Sequence, residues 1–296
     1  MTLLILGAHG QIGRALVERA GAQGLGCDRA ACDITDPAAV TRSLSAPALS
    51  VVVNCAAYTA VDRAESDREA AYAINAEGAG IVARASAARG LPVIHLSTDY
   101  VYAGTCVGPH REDEPLAPVN VYGASKAAGD SAVAAGNPAH LLLRVSWVFG
   151  VYGTNFVKTM LRLGRERDEL CVVADQQGGP TEARDIADAI IAMVKVSRRP
   201  GFAGWGTYHF AGAPPTSWHG FAQAIFERAS ERSPRLVPIA TRDYPTPAAR
   251  PHNSTLDCSL IHRVFGLDQP DWRASLSRVL VDLGGGQPNA AVKGLF

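Results

Sequence analysis

Short apolar runs punctuate the first half of the chain, each closed by small or polar residues. Leu-Leu-Ile-Leu at 3–6, three valines at 51–53, Val-Ile-His-Leu at 93–96 and Leu-Leu-Leu-Arg-Val at 141–145 have the length and boundaries of strands buried on both faces. A shorter strand is predicted near 25–28. Between the runs the apolar period becomes helical. Ile12, Leu16, Val17 and Ala20 share a face, 67–89 is alanine-rich, and a helix after Pro118 runs to about 135 before Gly136-Asn137-Pro138 stops it. Strands alternating with crossovers of this length predict a parallel, doubly wound α/β sheet. Beyond 150 the pattern is mixed, with helices predicted at 155–167, 184–196, 217–232 and 272–283 and strands at 170–174, 207–210 and 236–239. A chain of 296 residues exceeds the usual single core. We therefore expect a large domain over 1–150 that also receives segments from about 182–212, and a smaller mixed α/β lobe over 151–296. The tail from 284 is expected to fray.

Charge narrows the function. Formal net charge is zero and the pI is about 7.1, which leaves no electrostatic footprint for nucleic acid or an anionic membrane. The most apolar helical stretch, 187–196, is broken by Asp188 and Lys195, so no membrane span is expected. The first residues enter a strand directly, with no basic leader. The cysteines at 27, 32, 55, 106, 171 and 258 form no Cys-x-x-Cys pair and sit mostly in apolar runs. They are expected to be reduced core residues of a cytoplasmic protein, without a zinc site. Small-molecule chemistry is the remaining class.

The turn after the first strand reads GAHGQIG (7–13) and opens a helix. A strand, a glycine turn and a helix N-terminus, in that order, suit a dinucleotide. Gly7, Gly10 and Gly13 give a tight turn, backbone approach to pyrophosphate and close packing of helix on strand. This is the Rossmann-type arrangement, although the spacing is GxxGxxG rather than GxGxxG. Asp28 lies where an acid would bond the adenosine ribose, yet Arg29 beside it suits a 2′-phosphate, so NADH and NADPH both stay open. Asp33 belongs either to the cofactor or to a helix start with Asp36-Pro37. Ala56 and Ala57, ending the third strand, admit a flat ring or a phosphate, or else allow tight helix packing.

The stretch 92–129 carries the reactive groups. Thr98 closes a buried strand, the edge at which open α/β sheets bind ligands. Tyr122 and Lys126 are four apart and, on a helix, share a face. A phenol with a pKa of about 10 holds its proton at neutral pH, and a nearby ammonium lowers that value, so the three groups together can protonate an oxygen. Eight tyrosines and four lysines put one Tyr-x-x-x-Lys within reach of chance. The spacing needs company.

That company is found along almost the whole chain. GAHGQIG (7–13), DITD (33–36), NCAAYTAVDRAE (54–65), STDYVY (97–102), VYGASK (121–126), DQQGGPT (175–181) and YPTPAARPHNSTLD (244–257) together resemble the extended short-chain dehydrogenase/reductases, and within them the dTDP-4-dehydrorhamnose reductases. The resemblance implies an NAD(P)-binding first domain, a nucleotide-sugar lobe, and NADPH- or NADH-dependent reduction of the 4-keto group of a dTDP-6-deoxyhexulose. It assigns catalysis to Thr98, Tyr122 and Lys126. Gly10, Gln11 and Ile12 would meet the pyrophosphate, Asp33 and Ile34 the adenine, and Ala57, Tyr58 and Thr59 the middle of the cofactor. Thr98, Asp99, Trp147, Asn155 and Arg250 would line the sugar-nucleotide side. Taken alone, Trp147 suits a core as well as a sugar platform, and Arg250 a diphosphate clamp or the surface. Trp218, inside a helix pattern, is assigned to the core.

Two departures qualify the resemblance. Some members hold Mg²⁺ at a dimer interface through glutamates after the glycine loop and after the Pro-Thr pair. Here those places read Arg14-Ala15 and Arg184, with Glu18 and Glu182 only nearby, so no metal is expected and monomer and homodimer both stay open. Related 4,6-dehydratases carry Asp-Glu after the threonine, whereas this chain has Asp99-Tyr100, which disfavours water elimination. A 4-epimerase, or a non-catalytic NADP-binding regulatory subunit, remains an alternative.

Overall fold

The computed structural model describes residues 2–229 and 233–284. In chain order the elements are β1 (Thr2–Leu6), α1 (Gln11–Ala20), β2 (Gly24–Cys27), α2 (Pro37–Leu44), β3 (Leu49–Asn54), α3 (Val61–Ala64), α4 (Arg68–Tyr72), a π-helical turn (Ala73–Gly78), α5 (Ala79–Ala88), β4 (Val93–Thr98), α6 (Val121–Gly136), β5 (His140–Val145), β6 (Val148–Phe149), α7 (Phe156–Glu166), β7 (Glu169–Val173), β8 (Gln177–Gly178) and β9 (Thr181–Glu182). They continue with α8 (Ala183–Ser197), β10 (Gly206–Phe210), β11 (Thr216–Ser217), α9 (Trp218–Arg228), β12 (Arg235–Ile239), β13 (Asn253–Ser254), α10 (Ser259–Phe265) and α11 (Trp272–Asp282).

Six strands pair in parallel in the order β10-β5-β4-β3-β1-β2. This is the Rossmann-type doubly wound sheet that the alternation predicts. From β1 the chain winds outward to β2, then crosses back to β3 on the other side, so the direction of winding reverses beside β1. Ligands of such sheets bind at that crevice. The strands read as unbroken apolar runs because both faces are covered. Leu3 and Ile5 enter one core with residues of α1 and α8, whereas Leu4 and Leu6 enter the opposite core with residues of α2 and α5. A third core joins Val157 and Leu161 of α7, Phe221 and Ile225 of α9, and Leu276 of α11. Beside it, β7 and β12 form a separate parallel pair.

The alanine-rich stretch 67–89 is helical throughout but passes through the π turn at Ala73–Gly78, which takes one residue more than an α turn. Asn75 sits there, buried. Its side chain accepts from Tyr58 N at 2.8 Å and donates to Tyr58 O at 3.0 Å and to Ser125 Oγ at 2.9 Å. The wide turn thereby ties the segment after β3 to α6.

Other differences have local causes. The short α10 has only Ile261 and Phe265 to bury, too few to mark a helix in sequence. Helix α9 closes at Arg228, while the predicted 230–232 and the tail from 285 lie outside the described residues. Cys106 and Cys171 are exposed, not core. Cys106, His110 and Glu114 bring their donor atoms within 4.8 Å of one another. However, His110 Nδ1 lies only 2.6 Å from Glu114, too close for an ion between them, and the Cys106 Sγ is nearly equidistant from both ring nitrogens at 3.4 and 3.5 Å. Among the described residues no helix is long and apolar enough to cross a membrane.

Candidate active site

Helix α1 starts directly on the glycine turn. A Cβ on Gly13 would lie 2.2 Å from the Gly7 carbonyl oxygen, so only glycine lets the helix sit this low on β1. The first turn of α1 carries no acidic residue, leaving its N–H groups free to favour an anion. Above it opens a cavity of about 350 Å³, whose lining includes Gly7, Gly10, Asp28, Asp33, Ile34, Ala56 and Ala57. Asp28 accepts from Ala31 N at 2.8 Å and stands 3.3 Å from His9 Nδ1. Asp33 accepts from the backbone and hydroxyl of Thr35, which hold its carboxyl below the usual range, with Arg29 assisting. The cap of α2 is Asp36, accepting from Ala38 N at 2.8 Å, with Pro37 beginning the helix. Asp33 therefore stays at the cavity. Tyr58 lines neither cavity, because its backbone is held by Asn75 and its hydroxyl donates to Asp67 at 3.0 Å.

A larger cavity, about 600 Å³, begins at Gly10, Gln11, Ile12 and Gly13, passes Ala57 and Thr59, and reaches Thr98, Asp99, Tyr122, Lys126 and Trp147. Thr98 is the last residue of β4. Its hydroxyl donates to Asp99 Oδ1 at 2.8 Å and accepts from Tyr100 N at 3.2 Å. Helix α6 starts at the Asn120 cap, which accepts from Gly123 N at 2.7 Å. Gly123 lies against the turn after β4, where a Cβ would come within 2.1 Å of the Tyr100 carbonyl oxygen. This close approach sets Tyr122 beside Thr98, and Lys126 one turn further along the same face.

Burial governs the protonation states here. It pushes the Tyr122 phenol well above its ordinary range, with the Thr98 hydroxyl partly opposing. The lowering by lysine that the spacing predicts is not met, since the charges of Asp99 and Asp130 add to the upward push. Burial also brings Lys126 down to about 8, against the attraction of Asp130. Its Nζ donates to Leu96 O at 2.6 Å and lies 3.2 Å from His95 Nε2. Asp99, buried, is raised to about 6, although Thr98 and Ser146 both donate to it. Tyr100 packs edge-on against Tyr122, ring centroids 5.8 Å apart.

Trp147 holds φ at +46° and stacks on Trp218 at 3.5 Å, with Phe156 tilted against Trp218 at 4.7 Å. Trp218 is therefore not purely core. As the first residue of α9 it is half-buried, lines the cavity and donates its indole N–H to Gln176. Asn155 caps α7 and spends its amide on Gln11 and on Gly150 O, away from the open cavity. Arg250 lines neither cavity. Its guanidinium pairs with Asp62 at 2.9 Å and donates to Ala248 O at 2.8 Å. Glu182, fully buried, is bonded by Arg184 and Arg278, and Glu18 accepts from Tyr152. Sequence reasoning missed His9, Cys55, Tyr100 and Phe156 at the cavities, and His95 and Asn54 behind Lys126. For the last two a signal exists, since a polar residue inside an otherwise apolar buried strand must find a partner.

Residues 1–284 match the family model described as the RmlD substrate binding domain. The dTDP-4-dehydrorhamnose reductase of Burkholderia thailandensis is 43% identical, over 96% of this chain and 99% of its own. Among solved structures, a dTDP-4-dehydrorhamnose reductase from Clostridium acetobutylicum superposes with a TM-score of 0.90 at 34% identity, covering 96% of this chain and 100% of that one. The Bacillus anthracis dTDP-4-dehydrorhamnose reductase, in complex with NADP, gives a TM-score of 0.89 at 37% identity, covering 95% and 100%. With the glycine turn, Thr98, Tyr122 and Lys126 on one continuous cavity, and with near-complete coverage by these relatives, the chain belongs to the dTDP-4-dehydrorhamnose reductase family.

Proposed function

We propose that the chain reduces the C4 keto group of dTDP-6-deoxy-L-lyxo-4-hexulose to dTDP-L-rhamnose, using NADPH or NADH, as the last step of dTDP-rhamnose synthesis. One observation carries the reading: the cavity that starts at the glycine turn ends at Thr98, Tyr122 and Lys126. The residues present fit a dinucleotide. A Cβ at position 13 would collide with the turn that cradles it, and the N–H groups of α1 are open to the pyrophosphate. Gly10, Gln11 and Ile12 would hold the pyrophosphate, Asp28, Asp33 and Ile34 the adenosine end, and Ala57 and Thr59 the middle.

When bound, the nicotinamide supplies a hydride to the keto carbon. Negative charge then builds on the keto oxygen, and a raised phenol pKa means that Tyr122 still holds its proton to deliver there. Thr98 lies beside the phenol and would hold the same oxygen by turning its O–H from Asp99 Oδ1, to which it donates in the free protein. The stacked Trp147 and Trp218 give the sugar an apolar face. Lys126 lies one turn behind Tyr122 on the same wall. Tyr122→Phe is the test. Turnover of the hexulose, followed by loss of NADPH absorbance, should fall about 10²–10⁴-fold with cofactor affinity unchanged. Near-normal turnover would remove Tyr122 from the mechanism, and absence of oxidation by wild type with either cofactor would sink the assignment.

A further inference from the structure

Behind Lys126 two buried polar side chains form a chain that the reduction leaves unused. His95 and Asn54 are 0% and 1% exposed, and neither lines a cavity. Asn54 Oδ1 accepts from Ala56 N at 3.1 Å. A backbone N–H only donates, so this contact fixes which way the amide points. Asn54 Nδ2 therefore faces His95 Nδ1 at 3.1 Å and donates to it, which makes Nδ1 the unprotonated ring nitrogen. Burial holds the imidazole far below its ordinary pKa, so the ring is neutral and its one proton is on Nε2. That N–H meets Lys126 Nζ at 3.2 Å. An ammonium has three donors and no lone pair, so two donors would then oppose each other in a sealed site. A neutral amine resolves the conflict, accepting from His95 while donating to Leu96 O.

We propose that His95, fixed as the Nε2–H tautomer by Asn54, is a positioning residue that opposes the ammonium at Lys126 and so lowers the pH at which the lysine takes up its proton in the free protein. The inference deepens the reading of Lys126 given above. The other groups around the amine leave this role to His95. From α6, Asp130 favours the ammonium, but its carboxylate is shared with Arg144 at 3.0 Å, and Tyr122 is a neutral phenol. Beyond β3, the Cys55 thiol is pushed up to about 12 and stays neutral. From β4, besides His95 itself, the Leu96 carbonyl accepts from the amine. A hydroxyl arriving from the cavity as an acceptor would favour the ammonium, so an occupied site should raise the pH at which Lys126 is protonated.

The test is nitrogen NMR on the free, full-length protein labelled at histidine and lysine, with His95 and Lys126 assigned by His95→Gln and Lys126→Met. Wild type should show His95 as the Nε2–H tautomer from about pH 6 to 9, and Lys126 losing its proton well below the other lysines. An Nδ1–H tautomer, an imidazolium, or a Lys126 that titrates with the rest overturns the proposal. Asn54→Asp supplies a carboxylate that accepts from Nδ1–H, turns Nε2 into an acceptor and should raise the Lys126 titration by about one pH unit or more. Adding His95→Gln to that variant should shrink the shift. A full shift in the double variant would mean that the new charge acts directly, and the relay through His95 would be refuted. None of these readouts uses substrate, so they stand or fall separately from the Tyr122→Phe experiment.

Discussion

Gly123→Ala is the smallest change that probes how the site is held. The new Cβ would lie 2.1 Å from the Tyr100 carbonyl oxygen and 3.0 Å from Pro118 Cβ, against an ordinary contact of 3.4 Å or more. The oxygen belongs to backbone, so no rotamer relieves the overlap. Helix α6 and the turn after β4 must part by about 1.3 Å. Tyr122 is adjacent to one side of that contact, and Thr98 is two residues from the other. Overpacking costs about 1–3 kcal/mol, offset by about 1 kcal/mol from alanine's better helix propensity, so the loss of stability should be small. Catalysis is the sensitive readout, since a misplacement of about 1 Å costs on the order of 10²-fold in turnover. The expected result is kcat down about 10²-fold, with NADPH affinity, measured by fluorescence titration, unchanged because the glycine turn is untouched. A variant with kcat within threefold of wild type would refute the claim that this approach sets the phenol.

Two further outcomes follow from the neighbouring groups. Asp99 titrates at about 6 when folded, against an ordinary 3.8, so the folded chain binds this proton more tightly and stability falls as pH rises from about 4 to 6, by about 3 kcal/mol at most. Asp99→Asn removes that titration. Urea unfolding at pH 4.5 and 7.5 should show the variant gaining on wild type at the higher pH, and parallel behaviour would contradict the assignment. Trp218→Ala takes away the support under Trp147. An aromatic pair is worth about 0.5–1.5 kcal/mol, so KM for the sugar nucleotide should rise about two- to tenfold, and an unchanged KM would mean that the stack does not face substrate.

The sheet was legible because burial on both faces leaves unbroken apolar runs, as in β1, and because Gly10 and Gly13 are spaced for a helix resting on a turn. Thr98, Tyr122 and Lys126 were legible through strand end and helical period. What escaped was set by partners distant in sequence. Arg250 looked free for a diphosphate, but Asp62 takes its guanidinium. Asn155 looked like a ligand, but a cap and Gln11 use its amide. Trp218 fitted a helical apolar period, yet a residue in the first turn projects past the packed face. His95 stood in plain view within Val-Ile-His-Leu. Its meaning needed Asn54 and Lys126, which only the fold brings to it.

The π turn at Ala73–Gly78 takes up one residue beyond an α-helix while leaving the helix on either side in phase. Removing one residue there would restore a regular α-helix with Val82 and Ala83 still facing their core. What would go is the wide turn that seats Asn75 against Tyr58 and Ser125. A single-residue deletion between 73 and 78 should therefore still fold, at reduced stability, and loosen the segment after β3 from α6. The extra residue is slack in the crossover, given to holding its neighbours rather than to reaching the sheet.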